Sequence, residues 1–565
     1  MSSRRDVLRA FLGAPLLGQA LASGWLEGCG GDTGGSPRVA RIEGELLGQD
    51  LTAGHRLRDG VSLAALGQAP TEHLRLAILG GGPAGLSAAY RASQSLSEGV
   101  ALFELETVLG GTSRSAASDV TPYPWGAHYL PMPMAHNPDL LALLRDMGAL
   151  EEDTPDGVPR GREELLVREP ESRVFHQGYW ERGLYPYAGA SAEDLAELAR
   201  FRQRVDELVR FRDAQGRRAF SIPLALSSRD EAITSLDRLS AAAWLEREGF
   251  RSARLRWLVD YACRDDYGLR AEQASAWAML FYWVARTEEP GEDTVDLLTW
   301  PEGNGALVQH MAARAAQRGV RIERGQMALE VIPAGPDPGG PVRIAVQDVR
   351  SGALRRVTAD RCIVAMPRFI AERVVRGLGE RDRVASARFT YGAWMVANLH
   401  VRERPTSRGV GECWDNVLYD SPSLGYVSAT HQRGRDQGQG VLTYYWPLAT
   451  ADADTGRQHL FDADYGTWRD AIVSDLRRAH RNLPDVLTRL DVFRWGHAMI
   501  QPRVGRLGAD LRAGLTTALG GVHFAHSDLS GIAIFEEAFF HGTRAADEVV
   551  AALATQPAAT AVEAG

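Results

Sequence analysis

The stretch LRLAILGGGPAGLSAAYR, Leu74 to Arg91, constrains this chain more than any other. Leu74 to Leu79 is an apolar run of strand length, and Ala84 to Leu96 is rich in helix formers. Between them Gly80, Gly82 and Gly85 make G-x-G-x-x-G in the strand-turn-helix setting that the motif requires. Gly80 permits the tight turn and Gly82 lets backbone approach a pyrophosphate. Gly85 lets helix and strand pack closely. Pro83 and Ala84 open a helix whose unpaired N–H groups and positive dipole end face the phosphates. A second apolar run, Val100 to Phe103, ends at Glu104, nineteen residues past Gly85. A carboxylate there accepts from both ribose hydroxyls and repels a 2′-phosphate, so NADP is a poor fit. The motif alone does not separate NAD from FAD.

At 565 residues and 45% hydrophobic, the chain is long enough for two domains, consecutive or interleaved. The net charge of -9 gives no reason to expect nucleic acid. There is no lysine, so all 63 basic residues are arginine and lysine chemistry is excluded. Cys29, Cys263, Cys362 and Cys413 show no metal or disulfide spacing, and no metal is expected. Arg4-Arg5 followed by an apolar run to about Leu21 resembles a twin-arginine export signal, and Leu26-Glu27-Gly28-Cys29 resembles a lipoprotein box. These features imply a signal peptide over 1–28, a lipid anchor at Cys29, and a periplasmic or membrane-anchored protein exported with its cofactor already loaded. No other stretch is long and apolar enough to span a bilayer.

ELETVLGGTSRS places Gly110-Gly111 shortly after Glu104, followed by Thr112 and Arg114. The C-terminal segment GGVHFAHSDLSGIAIFEEAFFHGTRAADEVV, Gly520 to Val550, reads as a strand, an acidic turn and a long helix from about Ile532, with Ala538 and Gly542 on one close-packed face. WPEGNGALVQHMAARAAQRGVRIERGQ, from Trp300, reads as a glycine turn and a returning helix. Together these resemble the superfamily of flavin amine oxidases, protoporphyrinogen oxidases and carotenoid desaturases. The resemblance implies an α/β fold: a Rossmann-like FAD-binding domain of the GR2 type, with an interleaved α+β substrate domain. The FAD-binding domain is expected over 73–135, 300–370 and 490–555, the substrate domain over 136–299 and 371–489, and a tether and N-terminal extension over 29–72.

Residue by residue, the resemblance puts Gly110 and Gly111 over the FAD pyrophosphate. The arginine that usually follows that pair is replaced by Thr112, and Arg114 is the candidate substitute. Ser527 and Asp528 fall at the ribityl chain or pyrophosphate. Ile534 occupies one seat of the aromatic pair that brackets amines in the family, and the helix from about Ile532 is expected to aim its N-terminal N–H groups at the flavin's pyrimidine edge. YPWGAHYLPMP, 123–133, lies along the flavin ring, with Gly126 and Ala127 against it and Trp125 and Tyr129 as walls. His128 is the candidate acid/base, against the alternative of a structural histidine bonded to backbone. The strand YGAWMVANLHV offers Asn398 where relatives hold a lysine, and RWGHAMIQPRVG holds no cysteine for covalent attachment. FAD is therefore expected to be non-covalent, with His497 as the remaining covalent candidate. YACRDDYG, 261–268, reads as an Arg–Asp ion pair holding two helices, and SAWAMLFYWVAR as a core helix or the wall of an apolar tunnel.

Three functions stay open. One is oxidation of an amine or similar small molecule by hydride transfer to flavin. Another is desaturation or isomerisation of an apolar polyene or lipid. The last is a flavin-holding assembly protein without turnover.

Overall fold

The computed structural model describes residues 39–555, except 153–156, 293, 336–339, 435, 509–511 and 513 and the side chains of 40 and 381. The signal peptide, Cys29 and most of the turn at 335–340 lie outside the described residues. The first sheet contains β1 (Thr71–Leu79), β2 (Val100–Glu104), β3 (Arg321–Arg324), β4 (Gln326–Ile332), β5 (Val342–Asp348), β6 (Leu354–Val364) and β7 (Val522–Phe524). Five helices bear on the site: α1 (Pro83–Ala92), α2 (Ala253–Tyr267), α3 (Ala276–Val284), α4 (Gly305–Gln317) and α5 (Phe535–Ala554).

β3, β2, β1 and β6 pair in that order, all parallel, and β7 pairs parallel with the carboxyl half of β6. β5 and β4 continue from β6 as an antiparallel meander. The apolar run of β1 is buried on both faces, as a covered parallel strand requires. Leu76 and Ile78 join the core shared with α1, while Ala77 and Leu79 join the opposite one. Each fully buried Leu or Ile there contributes roughly 1.5–3 kcal/mol.

α5 lies on α1 because Gly542 has no side chain. A Cβ at that position would meet the Ala84 carbonyl oxygen at 2.3 Å and Ser87 Cβ at 2.7 Å. Phe539, Ala545 and Val549 of α5 close the same core as Leu86 and Ala89 of α1 and Met311 of α4.

The helix expected from about Ile532 begins three residues later, at Phe535. Ser527–Leu529 is spent on a 3-10 turn and Gly531 has φ +76°, so the chain is extended at Ile534 before the helix starts. The run Arg321 to Ile332 is broken at Gly325, where φ is +69°, into β3 and β4.

A second sheet runs in the order Leu46–Gly48, Leu487–Ile500, Tyr391–Val401, Gly440–Pro447, Tyr426–Ser428, Asp415–Leu418, Ser172–His176, Tyr179–Arg182. This redraws two expected boundaries. Residues 490–500, expected with the FAD-binding part, pair along Tyr391–Val401 instead. Leu46–Gly48, expected in a tether, adds an edge strand to Leu487–Ile500. α2 and α3 belong to a separate helical core in which Met279, Leu280 and Phe281 are fully buried.

β1, β6 and β7 all end on one side of the sheet. Val364 pairs with Leu79 and with Phe524, so the turns after β1 and β7 are two strand spacings apart, roughly 10 Å. Among the described residues no helix is long and apolar enough to cross a membrane.

Candidate functional site

The glycine turn has the geometry its spacing implies. Gly80 has φ +109°, and its N–H donates to the Phe103 carbonyl at 2.9 Å, tying the turn to β2. A Cβ on Gly85 would sit 1.8 Å from the Gly80 carbonyl oxygen. Gly82 is the helix N-cap and supplies no side-chain partner. A Cβ there meets no protein atom within 4 Å. Pro83 is the first helical residue and Ala84 follows, so the first-turn N–H groups of α1 point past an unobstructed glycine.

Glu104 closes the turn from the side. Its carboxylate accepts from the N–H of Gly81 and, at 2.8 Å, from that of Glu106. Burial pushes its pKa up, and those two donors work against the shift. The second glycine pair lies against the first turn. Gly110 N donates to the Gly81 carbonyl at 2.8 Å, and a Cβ on Gly111 would lie 3.6 Å from Gly82 Cα. Both glycines have positive φ, +110° and +52°.

Thr112 accepts the Ala127 N–H at 3.0 Å through its carbonyl, and that carbonyl lies 2.1 Å from where a Gly126 Cβ would be. Arg114 is buried under the rings of Phe493 and Trp495, 5.6 Å from each centroid, and 3.5 Å from Glu106. Its Nε has no protein partner.

Across the sheet, Ser527 and Asp528 form the turn after β7. The Asp528 carboxylate is held by the Tyr391 hydroxyl at 2.6 Å, the Arg368 N–H at 2.7 Å and His526. Burial alone would push its pKa up, but these partners, His526 first, outweigh burial and hold it below the usual carboxylate range. Asp528 thus pins the turn to β6 and to the second sheet. Ile534 packs beside the helical core of α2 and α3. His497 rests on Phe369, with ring centroids 4.7 Å apart. The residues present fit a dinucleotide: an open glycine N-cap, a second glycine turn against it, an acceptor at the ribose position, and a buried guanidinium with a spare donor.

Beyond this seat lies an aromatic chamber. His128 follows Gly126 and Ala127. Its ring centroid is 4.8 Å from Tyr445, 5.1 Å from Tyr129 and 5.2 Å from Trp414. The Tyr445 hydroxyl donates to the Gly126 carbonyl at 2.9 Å. Burial lowers the His128 pKa to about 4, so the imidazole is neutral at pH 7. Asn398 does not face the chamber as a free group, because its amide donates to the Pro124 carbonyl at 3.1 Å and accepts from Thr443 at 2.8 Å.

The ion pair expected in YACRDDYG forms differently. Arg264 pairs within its own helix with Asp260 at 3.0 Å, and Asp266 reaches Arg286 just past α3 at 2.9 Å. Two carboxylates were not singled out in the sequence. Asp265 is half-buried and, among the described residues, has no hydrogen-bond or ion-pair partner. Asp415 accepts from the Tyr261 hydroxyl at 3.2 Å. Burial raises the pKa of both, and each is raised further by a neighbouring carboxylate, Asp266 for Asp265 and Asp265 for Asp415. Burial, then the charges of Asp265 and Asp415, keep the Tyr445 hydroxyl protonated. Adjacency in Asp265-Asp266 hid this role, because neighbouring helix residues point apart and nothing in the sequence says which one meets the strand carrying Asp415.

The family description "NAD(P)-binding Rossmann-like domain" matches residues 78–147. Three solved structures share the whole architecture. Putrescine oxidase with bound putrescine superimposes with a TM-score of 0.62 at 18% identity, covering 85% of this chain and 100% of its own. The chain has the fold of the flavin amine oxidases. Cyclohexylamine oxidase from Brevibacterium oxydans gives 0.60 at 15% identity, covering 85% of this chain and 99% of its own. A fatty acid isomerase from P. acnes gives 0.59 at 14%, covering 86% and 99%. A search of curated proteins returns no match. In this amine oxidase fold the Gly80–Gly85 turn, Gly110–Arg114, Gly126–His128 and the turn at Ser527 converge from opposite ends of the chain onto one edge of the first sheet.

Proposed function

We propose that the protein is an FAD-dependent oxidoreductase that oxidises a small-molecule amine, with FAD bound non-covalently. One observation carries the choice of amine: beside Gly126, four aromatic side chains lie near two carboxylates, Asp265 and Asp415, neither of which forms an ion pair among the described residues. Burial, then the charge of Asp265, raises the Asp415 pKa well above the ordinary value, so the two carboxyls together carry less than two negative charges, which suits a single ammonium. The rings of Trp414 and Tyr445 add cation–π attraction. When bound, the flavin supplies a two-electron acceptor for the hydride on the carbon beside the amine nitrogen.

The protein's own part is to bind, orient and desolvate. Gly82, the first turn of α1 and Arg114 hold the phosphates, and Glu104 holds the ribose. Tyr445 fixes the Gly126 carbonyl and stacks on His128. His128, held neutral, adds no competing positive charge beside the substrate nitrogen. The apolar alternative has less support. Trp277 and Phe281 of α3 stack on one another inside the helical core, so these two rings do not line a lipid tunnel. The same reading has the loaded protein exported through the twin-arginine route and held by a lipid at Cys29.

The test is anaerobic mixing of flavin-loaded protein with primary amines, polyenes and fatty acids, followed by absorbance. Bleaching by amines supports the reading. Bleaching by polyenes or lipids only, or by nothing, overturns it.

A further inference from the structure

Behind the chamber a buried arginine clamps a loop. The strands Asp415–Leu418 and Tyr426–Ser428 are joined by residues 419–425. Arg264 of α2 is 2% exposed, and its Nη1 donates to three carbonyls of that loop: Ser421 at 3.3 Å, Pro422 at 3.2 Å and Ser423 at 3.1 Å. Arg478 donates to the two carbonyls before them, Tyr419 at 3.2 Å and Asp420 at 3.3 Å. From the other side, Asp475 accepts from the hydroxyls of Ser421 and Ser423, both at 2.8 Å. Asp420 is held at φ +59°, a left-handed conformation that a residue with a side chain keeps only where its surroundings over-determine it.

A buried charge is a costly way to hold a turn. Burial lowers the Arg264 pKa, which shows the guanidinium is poorly solvated. Its carboxylate partner, Asp260, is shared with Arg270 and with the Ala271 N–H. Apolar side chains of the same volume would stabilise such a junction equally well. What a hydrogen-bonded guanidinium adds is a fixed geometry.

That geometry passes directly to the chamber. Immediately after the clamped carbonyls, the Leu424 N–H donates to the Tyr445 carbonyl at 2.9 Å, and the Tyr445 N–H donates to the Gly425 carbonyl at 3.1 Å. A Cβ on Gly425 would lie 2.0 Å from the Asn416 carbonyl oxygen, so loop and strand meet without slack. Asn416 pairs with Tyr426 in the register that sets Asp415 opposite Val427. α2 also reaches Asp415 itself, through the Tyr261 hydroxyl one turn before Arg264. One helix thus carries Asp265, the hydroxyl that holds Asp415, and the guanidinium that holds the loop between Asp415 and the partners of Tyr445.

We propose that Arg264 is a positioning residue for the amine site: its contacts with the carbonyls of Ser421, Pro422 and Ser423 fix Asp415 and Tyr445 relative to Asp265. The inference rests on the amine reading above. Without the clamp the loop relaxes, Asp415 moves away from Asp265, and water reaches it. The groups facing Asp415 are Tyr261 and Asp265 from α2 and Glu171 just before the strand Ser172–His176. Once Asp415 is wet, its pKa falls back toward the ordinary value. Amine binding then becomes weaker but persists to lower pH.

The probe is tert-butylamine, whose carbon beside nitrogen bears no hydrogen to transfer, so binding is read without oxidation. Its dissociation constant for flavin-loaded protein is measured by calorimetry as a function of pH. Arg264→Met weakens binding by roughly 10- to 100-fold, as for one lost hydrogen bond to a charged group, and moves the acidic limb of the profile to lower pH. Arg264→Lys, whose three N–H donors match the three carbonyls, restores most of both. Ser423→Ala, which frees the Gly425 N–H beside the clamp, gives a smaller change in the same direction and serves if Arg264→Met folds poorly. Wild-type affinity and limb in Arg264→Met or, should it not fold, in Ser423→Ala overturn the proposal, as do equal losses in the Met and Lys variants. If binding depends on Arg264 but no oxidisable amine bleaches the flavin, the clamp stands and the oxidation reading falls. If the wild type binds no amine, both fall.

Discussion

A single methyl group at Gly82 separates the two jobs a glycine can do in this turn. Gly82 has φ −77° and ψ −178°, extended backbone open to any residue, and a Cβ there meets no protein atom within 4 Å. Gly82→Ala therefore costs the fold nothing. By restricting the unfolded chain it stabilises the protein by about 0.4–1 kcal/mol. The same methyl projects where the pyrophosphate must approach. Displacing the phosphates from even two N–H donors loses two charge-assisted hydrogen bonds of roughly 1.5–3 kcal/mol each. FAD affinity then falls by at least about 100-fold, while the melting temperature without cofactor is unchanged or slightly higher.

Gly85→Ala is the contrasting case. Its Cβ lies 1.8 Å from the Gly80 carbonyl oxygen and 3.3 Å from Ala365 Cβ, so backbone must move and the fold itself loses stability. The assay is FAD titration by flavin fluorescence, alongside thermal melts of each protein stripped of cofactor. Wild-type FAD affinity in a folded Gly82→Ala protein, or unfolding of that variant, would refute the reasoning.

Three further outcomes follow from the packing and the charges. Arg286→Met leaves Asp266 buried without its partner and lowers stability by about 3–5 kcal/mol in urea unfolding, whereas adding Asp266→Leu recovers most of the loss. Gly542→Val drives a side chain into the Ala84 carbonyl and separates α5 from α1, which a drop in melting temperature together with loss of FAD will register. Buried His480 has its pKa lowered by burial from the ordinary 6.5 to about 4. The unfolded chain therefore binds a proton that the native state refuses. The His480 contribution is constant above pH 6.5 and falls as pH drops toward 4, by up to about 3 kcal/mol. A flat melting temperature between pH 7 and pH 5 would count against it.

What was legible in the sequence was the part governed by local rules. G-x-G-x-x-G, the glycine pair and the C-terminal strand each carry their own spacing and are found where the spacing puts them, because backbone geometry there admits little else, while the C-terminal helix starts three residues later than read. The course of Leu487–Ile500 was not legible. Its alternation fits either sheet, and the pairing with Tyr391–Val401 decides it. The aromatic chamber was half legible. His128 and Tyr129 follow a recognisable segment, but Trp414, Asp415 and Asp265 reach the chamber only through long-range packing.

The most direct measurement is the visible absorption spectrum of the purified protein after reconstitution with FAD and dialysis. The account predicts flavin bands that survive dialysis in the wild type, are released by acid, and are absent from Gly82→Ala. A colourless wild-type protein, or flavin retained equally by the variant, would contradict it.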